Sequence, residues 1–146
     1  MTLSQAQRRE VRQRANGCCE YCRLSATSAT VPFHVDHFIP LKHGGTDAYS
    51  NLCFACFHCN ICKSHDLTGL DPFTGKITAL FNPRQLIWDA HFALTTDMQI
   101  TGLTPEGRTT ARVLQFNLEE RIESRQVLGE IGEYPCQQNS PGEQSP

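Results

Sequence analysis

The first polar stretch, SQAQRREVRQRAN, is rich in Gln, Arg, Ala and Glu and predicts a helix over residues 3–15, stopped by Asn16-Gly17. The rhythm then changes. CCEYC reads as a tight turn. VPFHVDHFI is dominated by β-branched and aromatic residues behind Pro32 and predicts a strand; alternation there puts His34 and Asp36 on one face. LKHGGTD is a loop punctuated by Gly44-Gly45. Asp47 is placed to cap a short helix through AYSNLCFA, and ICKSHDL predicts a second short helix behind the cysteine run. DPFTG is a turn and KITALF a strand. Asn82-Pro83 opens a helix through Trp88 to Phe92, MQITG a short strand, and Thr104-Pro105 a helix through GRTTARVLQF. Asn117 with Glu120 three residues on fits a capping box, so a last helix is expected over residues 118–128. From Tyr134 onward the chain is polar, ends in QQNSPGEQSP, and predicts a disordered tail.

Composition narrows this picture. With 146 residues and 39% hydrophobic content the chain can bury a core of ordinary size, and two independent domains would be cramped. No run approaches the length of a membrane span. The N-terminus has no apolar core and no cleavage signal, which argues against secretion and for the cytoplasm. The net charge of −2 provides no global field for a polyanion. Locally, RREVRQR gathers Arg8, Arg9, Arg12 and Arg14, as a solvated helix face or a phosphate contact.

The cysteines change the picture most. There are 8, and in a reducing cytosol they would mostly be thiols. Seven fall into two clusters, Cys18/Cys19/Cys22 and CFACFHCNIC, where Cys53, Cys56, Cys59 and Cys62 recur at every third position. Structural zinc is usually held by two C-x2-C knuckles. Cys19 and Cys22 are the natural first pair; Cys18 would need x3 spacing and is the weaker candidate. The second has three registers, Cys53/Cys56, Cys56/Cys59 or Cys59/Cys62, and spacing does not choose among them. An iron–sulfur run would end in x3-C-P, which is absent, and would leave Cys19 and Cys22 unused.

Between the knuckles lies FHVDHFIPLKHGGTDAYSNL. With DH-x-x-P, then N-L, then C-x2-C-N-x2-K, bracketed by CEYC, the segment from Arg14 to Lys63 resembles the zinc-bearing HNH endonucleases. The resemblance implies an α+β fold: a small ββα-metal, treble-clef-like core with zinc knuckles. The regions would be an HNH core over residues 1–68 and a mainly helical C-terminal extension over 69–132 packed on it. A disordered tail would follow over 133–146. It also implies the second register, so that Cys19, Cys22, Cys56 and Cys59 hold a structural Zn²⁺ while Cys53 and Cys62 are core thiols.

The resemblance further implies DNA as partner and a metal-dependent endonuclease or nickase that leaves 3′-hydroxyl and 5′-phosphate ends. His37 is the candidate general base, since imidazole exchanges protons near neutral pH. Asp36 and Asn60 are candidate oxygen ligands for a catalytic divalent cation, Mg²⁺ or Mn²⁺. Asn60 stands where the family often has His. Asn51 corresponds to the middle Asn, which holds the His-bearing loop through backbone hydrogen bonds. His34, Lys63, Arg84 and Arg108 are candidate phosphate contacts. No base-reading motif and no signal of oligomeric state are present. The competing reading is a non-catalytic zinc module that binds nucleic acid or protein; such a module needs none of Asp36, His37, Asn51 and Asn60.

Overall fold

The structure, a computed structural model, describes residues 2–138. Helix α1 (Gln5–Arg14) starts in a reciprocal capping box: Ser4 Oγ accepts from Gln7 N, and Gln7 Oε1 accepts from Ser4 N. Val11 and Arg14 form its buried side. Arg8, Arg9 and Arg12 stay exposed. Strands β1 (His34–His37) and β2 (Leu52–Ala55) pair antiparallel, with Asp36 opposite Cys53 and His37 opposite Leu52. Helix α2 (Phe57–Lys63) follows after one residue, Cys56, whose Sγ accepts from Cys59 N at its first turn.

This β–β–α unit is where the expected elements are most revised. AYSNLCFA is not a helix. It is one 3-10 turn at Tyr49–Asn51 leading into β2, all four residues of which are buried. A run that is apolar on both faces shows no alternation, so pairing with β1 decides its conformation. The following helix also begins earlier than expected, inside the cysteine run, and stops at Ser64, where φ is 48°.

The remainder is mixed. Strands β3 (Thr68–Leu70) and β4 (Ile77–Ala79) form a hairpin around DPFTG. The helix expected from Asn82 is only α3 (Trp88–His91). Strands β5 (Phe92–Leu94) and β6 (Ile100–Gly102) pair next. Helix α4 (Pro105–Val113) is capped by Thr104 as its sequence predicts. Helix α5 (Glu119–Glu130) lacks the expected cap, because Asn117 Oδ1 accepts instead from Ile100 N and Arg125 Nη2. The fold is α+β with three two-stranded antiparallel sheets.

One core unites the parts. Phe81, Trp88, Phe92 and Phe116 stack at centroid distances of 5.1–5.6 Å and share a cluster with Cys19, Tyr21, Cys22, Cys56 and Cys59. Trp88 Nε1 donates to Tyr21 O at 2.8 Å. The expected disordered tail differs in its first part: residues 133–138 run over the first knuckle. Tyr134 is buried and its hydroxyl donates to Cys22 O at 2.7 Å, while Gln138 Nε2 donates to Cys19 O at 2.7 Å. Cys136 is disulfide-bonded to Cys18, so these two are not the thiols that the sequence reading expects. Residues 139–146 lie outside the described residues.

The β3–β4 hairpin is fastened to α4 by Asp71, which is fully buried. Arg108 donates to both its oxygens, at 2.9 and 2.8 Å, and Phe73 N and Thr74 Oγ1 donate as well. The Arg108 hydrogen bonds, more than any other contact, hold this carboxyl well below the usual carboxylate range. A carboxyl depressed on folding stabilises fully above its unfolded value, about 3.9, and that contribution is lost as pH falls through the lower folded value. Asp71→Asn is therefore expected to lower Tm at neutral pH and to flatten the fall of Tm with acid below about pH 4. A series of thermal melts across that range checks it; an unchanged acid limb would contradict it.

Candidate metal centre and active site

The first knuckle, Cys19 and Cys22, is shaped by a tight turn: Cys22 N donates to Cys19 Sγ at 3.4 Å and Arg23 N to Cys19 O at 2.9 Å. Cys56 and Cys59 repeat this at the start of α2. The four sulfurs are buried and lie within 4.8 Å of one another. Zinc–thiolate bonds of about 2.3 Å in a tetrahedron separate sulfurs by ~3.8 Å. Cys22 and Cys56 Sγ are 3.7 Å apart. The donor set thus fits a closed structural zinc ion, in the Cys56/Cys59 register.

The electrostatics agree. Burial pushes the Cys19 and Cys59 thiols well up, whereas hydrogen bonds from Cys19, Cys56 and Cys59 draw Cys22 well down. Several thiolates cannot share this volume without a cation. Part of the compensation comes from Arg121 on α5, which donates to Cys59 Sγ at 3.2 Å and to Leu114 O at 2.7 Å.

The insert between the knuckles builds a second site. Asp36, His37, Asn60 and His65 line one cleft of about 400 Å³, together with Lys42 and Ser64. Asp36 is held through Oδ2: Tyr21 OH donates to it at 3.2 Å, Lys63 Nζ is 3.6 Å away, and Cys53 Sγ 3.8 Å away. Burial raises its carboxyl, against the lowering effect of Lys63 and Tyr21. All its side-chain contacts among the described residues fall on Oδ2, which leaves Oδ1 for another ligand. Asn60 is the first residue behind Cys59, so the knuckle and α2 carry it to the cleft.

His37 follows Asp36 at the end of β1. Its Nε2 is 2.7 Å from Asp47 Oδ1. Asn51, immediately before β2, ties two loop segments: Oδ1 accepts from Ile39 N, and Nδ2 donates to Ile39 O and Thr46 O, all at 2.9 Å. Gly45 makes this approach possible, because a Cβ there would collide with the Ile39 carbonyl and reach 2.9 Å from Asn51 Nδ2.

Two expected phosphate contacts are placed elsewhere. Lys63 has no exposed surface; Nζ donates to Phe38 O at 2.8 Å and faces the Phe38 ring and Asp36. A cation buried in this way braces the β1 loop and does not present itself to a phosphate. His34 is exposed but stacks toward Phe57 at 6.4 Å and is not among the residues lining the cleft. Likewise Arg84 is an ion-pair partner of Glu20 in the interior, and burial together with the charge of Arg14 lowers it to about 9. Arg108 is committed to Asp71.

The sequence reading missed Tyr21, Asp47 and His65. Tyr21 offered no signal beyond its place inside CEYC. Asp47 was visible in GGTD but read as a helix cap. His65 stands five residues past Asn60, just beyond the end of α2, close enough in the chain to be placed beside the cleft.

Residues 19–66 match the family model described as HNH endonuclease, and the resemblance drawn from the motifs holds over that segment. No curated protein and no solved structure matches the chain.

Structural zinc contributes about 10–16 kcal/mol in small peptides, as much as the whole stability of an ordinary domain, about 5–15 kcal/mol. Cys56→Ser, or a strong chelator, is therefore expected to release the zinc and unfold the protein. Cys62→Ser should keep both zinc and fold, since Cys62 lies outside the four-sulfur cluster, half-buried at the edge of the core, with its thiol 3.8 Å from Gln115 Oε1. Metal analysis with circular dichroism reads both; zinc retained by the first variant and lost from the second would reverse the register.

Proposed function

We propose, taking the HNH match over residues 19–66 as premise, that this protein is a metal-dependent DNA endonuclease or nickase. The observation that carries the proposal is the meeting of Asp36, His37 and Asn60 in one cleft, although 22 residues separate His37 from Asn60 in the chain. A non-catalytic zinc module has no use for that convergence.

In this reading His37 accepts the proton of the attacking water, a contribution of about 10²–10⁴-fold. Asp36 and Asn60 present a carboxylate and an amide oxygen, the hard donors that Mg²⁺ or Mn²⁺ takes while keeping sites open for water and phosphate. When bound, the divalent cation supplies charge neutralisation for the phosphoryl oxygens and the 3′ leaving oxygen. Tyr21 and Lys63 hold Asp36 by Oδ2, so Oδ1 is the oxygen available to the cation. Asn51 holds the loop that follows His37. The products are 3′-hydroxyl and 5′-phosphate ends. Arg8, Arg9 and Arg12, exposed on α1, remain for the phosphate backbone, whose contacts add affinity but no base sequence.

A supercoiled plasmid tests this. Zinc-loaded protein with Mg²⁺ or Mn²⁺ is expected to nick or linearise it, and enough EDTA to bind the added cation should stop cutting. His37→Ala is expected to lose about 10²-fold or more of the rate while keeping its zinc. A zinc-loaded wild type that never cuts would leave the binding-module reading in its place, and a His37 variant that cuts like wild type would remove the general base.

A further inference from the structure

His37 is the group on which the proposed chemistry turns, and it does not stand alone. Asp47 Oδ1 lies 2.7 Å from its Nε2, and the two side chains are equally shielded, each 21% exposed. A carboxylate can only accept, so Nε2 must be the donor and must carry a proton. In the neutral ring the lone pair then sits on Nδ1. We propose that Asp47 is a positioning residue for the cleavage reaction: it fixes the orientation and tautomer of His37 so that Nδ1 is the atom that takes the proton from water. This rests on the nuclease reading of the cleft.

The backbone around Asp47 is built for that contact. Ile39 is two residues after His37, and Thr46 immediately precedes Asp47. Asn51 binds both, through Ile39 N, Ile39 O and Thr46 O. It therefore sets the separation between the two segments that carry the histidine and the carboxylate. Gly45 lets the segments close, and Thr46 Oγ1 accepts from Ala48 N at 3.3 Å, turning the chain so that Asp47 points back toward β1. Asn51 thus acts on His37 twice, by holding the loop behind it and by delivering its partner.

The charge matters as well as the geometry. When His37 gains a proton it becomes an imidazolium beside an anion at hydrogen-bond distance, an arrangement that stabilises the charge formed during the reaction. A neutral loop residue in place of Asp47 supplies neither the fixed tautomer nor that stabilisation.

The experiment uses the full zinc-loaded chain. Asp47→Ala is expected to lower kcat for plasmid nicking by about 10–100-fold, the usual range for outer-shell partners, with KM, zinc content and Tm near wild type. Asp47→Asn keeps the size of the side chain, guards against a misfolded alanine variant, and should show the same split between kcat and KM. Added to His37→Ala, the Asp47 change should cost nothing further, because its effect passes through the imidazole. Independently of activity, a proton–nitrogen correlation spectrum of wild type should show a hydrogen-bonded Nε2–H on His37 that disappears in Asp47→Ala. Variants that cut as fast as wild type, a kcat loss matched by lost zinc or lower Tm, or a proton found on Nδ1 would each overturn the proposal. If wild type itself fails to cut, the nuclease reading falls, while the spectrum still reports on the Asp47 contact.

Discussion

Four buried sulfurs that cannot all be charged without a cation are the constraint on which the rest of this molecule hangs. Two belong to a turn near residue 20 and two to the first turn of α2, with 33 residues of chain between Cys22 and Cys56. A dication at their centre converts a repulsive cluster into a clamp. Each knuckle then bears on the cleft through a side chain. Tyr21, between Cys19 and Cys22, reaches Asp36. Asn60 lines the cleft directly behind Cys59, and Lys63 braces Asp36 and the Phe38 carbonyl from the end of the same helix. The metal centre is closed, yet its geometry becomes the geometry of the cleft.

Buried cations support this arrangement from several sides. Arg14 donates to Tyr49 O and Leu52 O, where the chain enters β2. Arg84 reaches Glu20, whose other oxygen accepts from Phe54 N. Arg121 offsets part of the charge of the sulfur cluster and closes the last turn of α4. Charges placed so deep are costly unless paired, and breaking one such pair leaves its partner stranded. Much of the positive charge of the chain is thereby spent on holding the two knuckles, β2 and the C-terminal helices together, and the exposed arginines of α1 are among the cations that remain for a polyanion. The segment over residues 133–138, linked through Cys136, adds an outer layer over the first knuckle.

The cleft is a meeting of short elements. β1 contributes Asp36 and His37 and α2 contributes Asn60, while the loop before β2 sets Asp47 against His37. No single element is long enough to place two of these pairs at once, so Asn51 and Gly45 fix the loop against the β1 end. Such a site gains precision because three hydrogen bonds to backbone lock the Asn51 side chain that sets the loop.

What could be read from the chain alone was local chemistry. C-x2-C spacing fits one tetrahedral ion whatever surrounds it, an adjacent Asp36-His37 pair is visible as written, and the Thr104-Pro105 start of α4 needs only the next turn. The choice of Cys56/Cys59 over its neighbouring registers required the family resemblance, because spacing is identical in all three. Only the folded molecule decided the rest. LCFA becomes a strand because β1 lies beside it; Lys63 leaves the surface because Phe38 and Asp36 enclose it; Asn117 bonds β6 and the Arg125 side chain and does not cap its own helix. Asp47 turns to His37 because Asn51 brings together segments 10 residues apart in sequence. Caps, spacings and turns are settled within a few residues. Burial and the choice of a partner for a charge depend on segments that meet only when the whole chain closes.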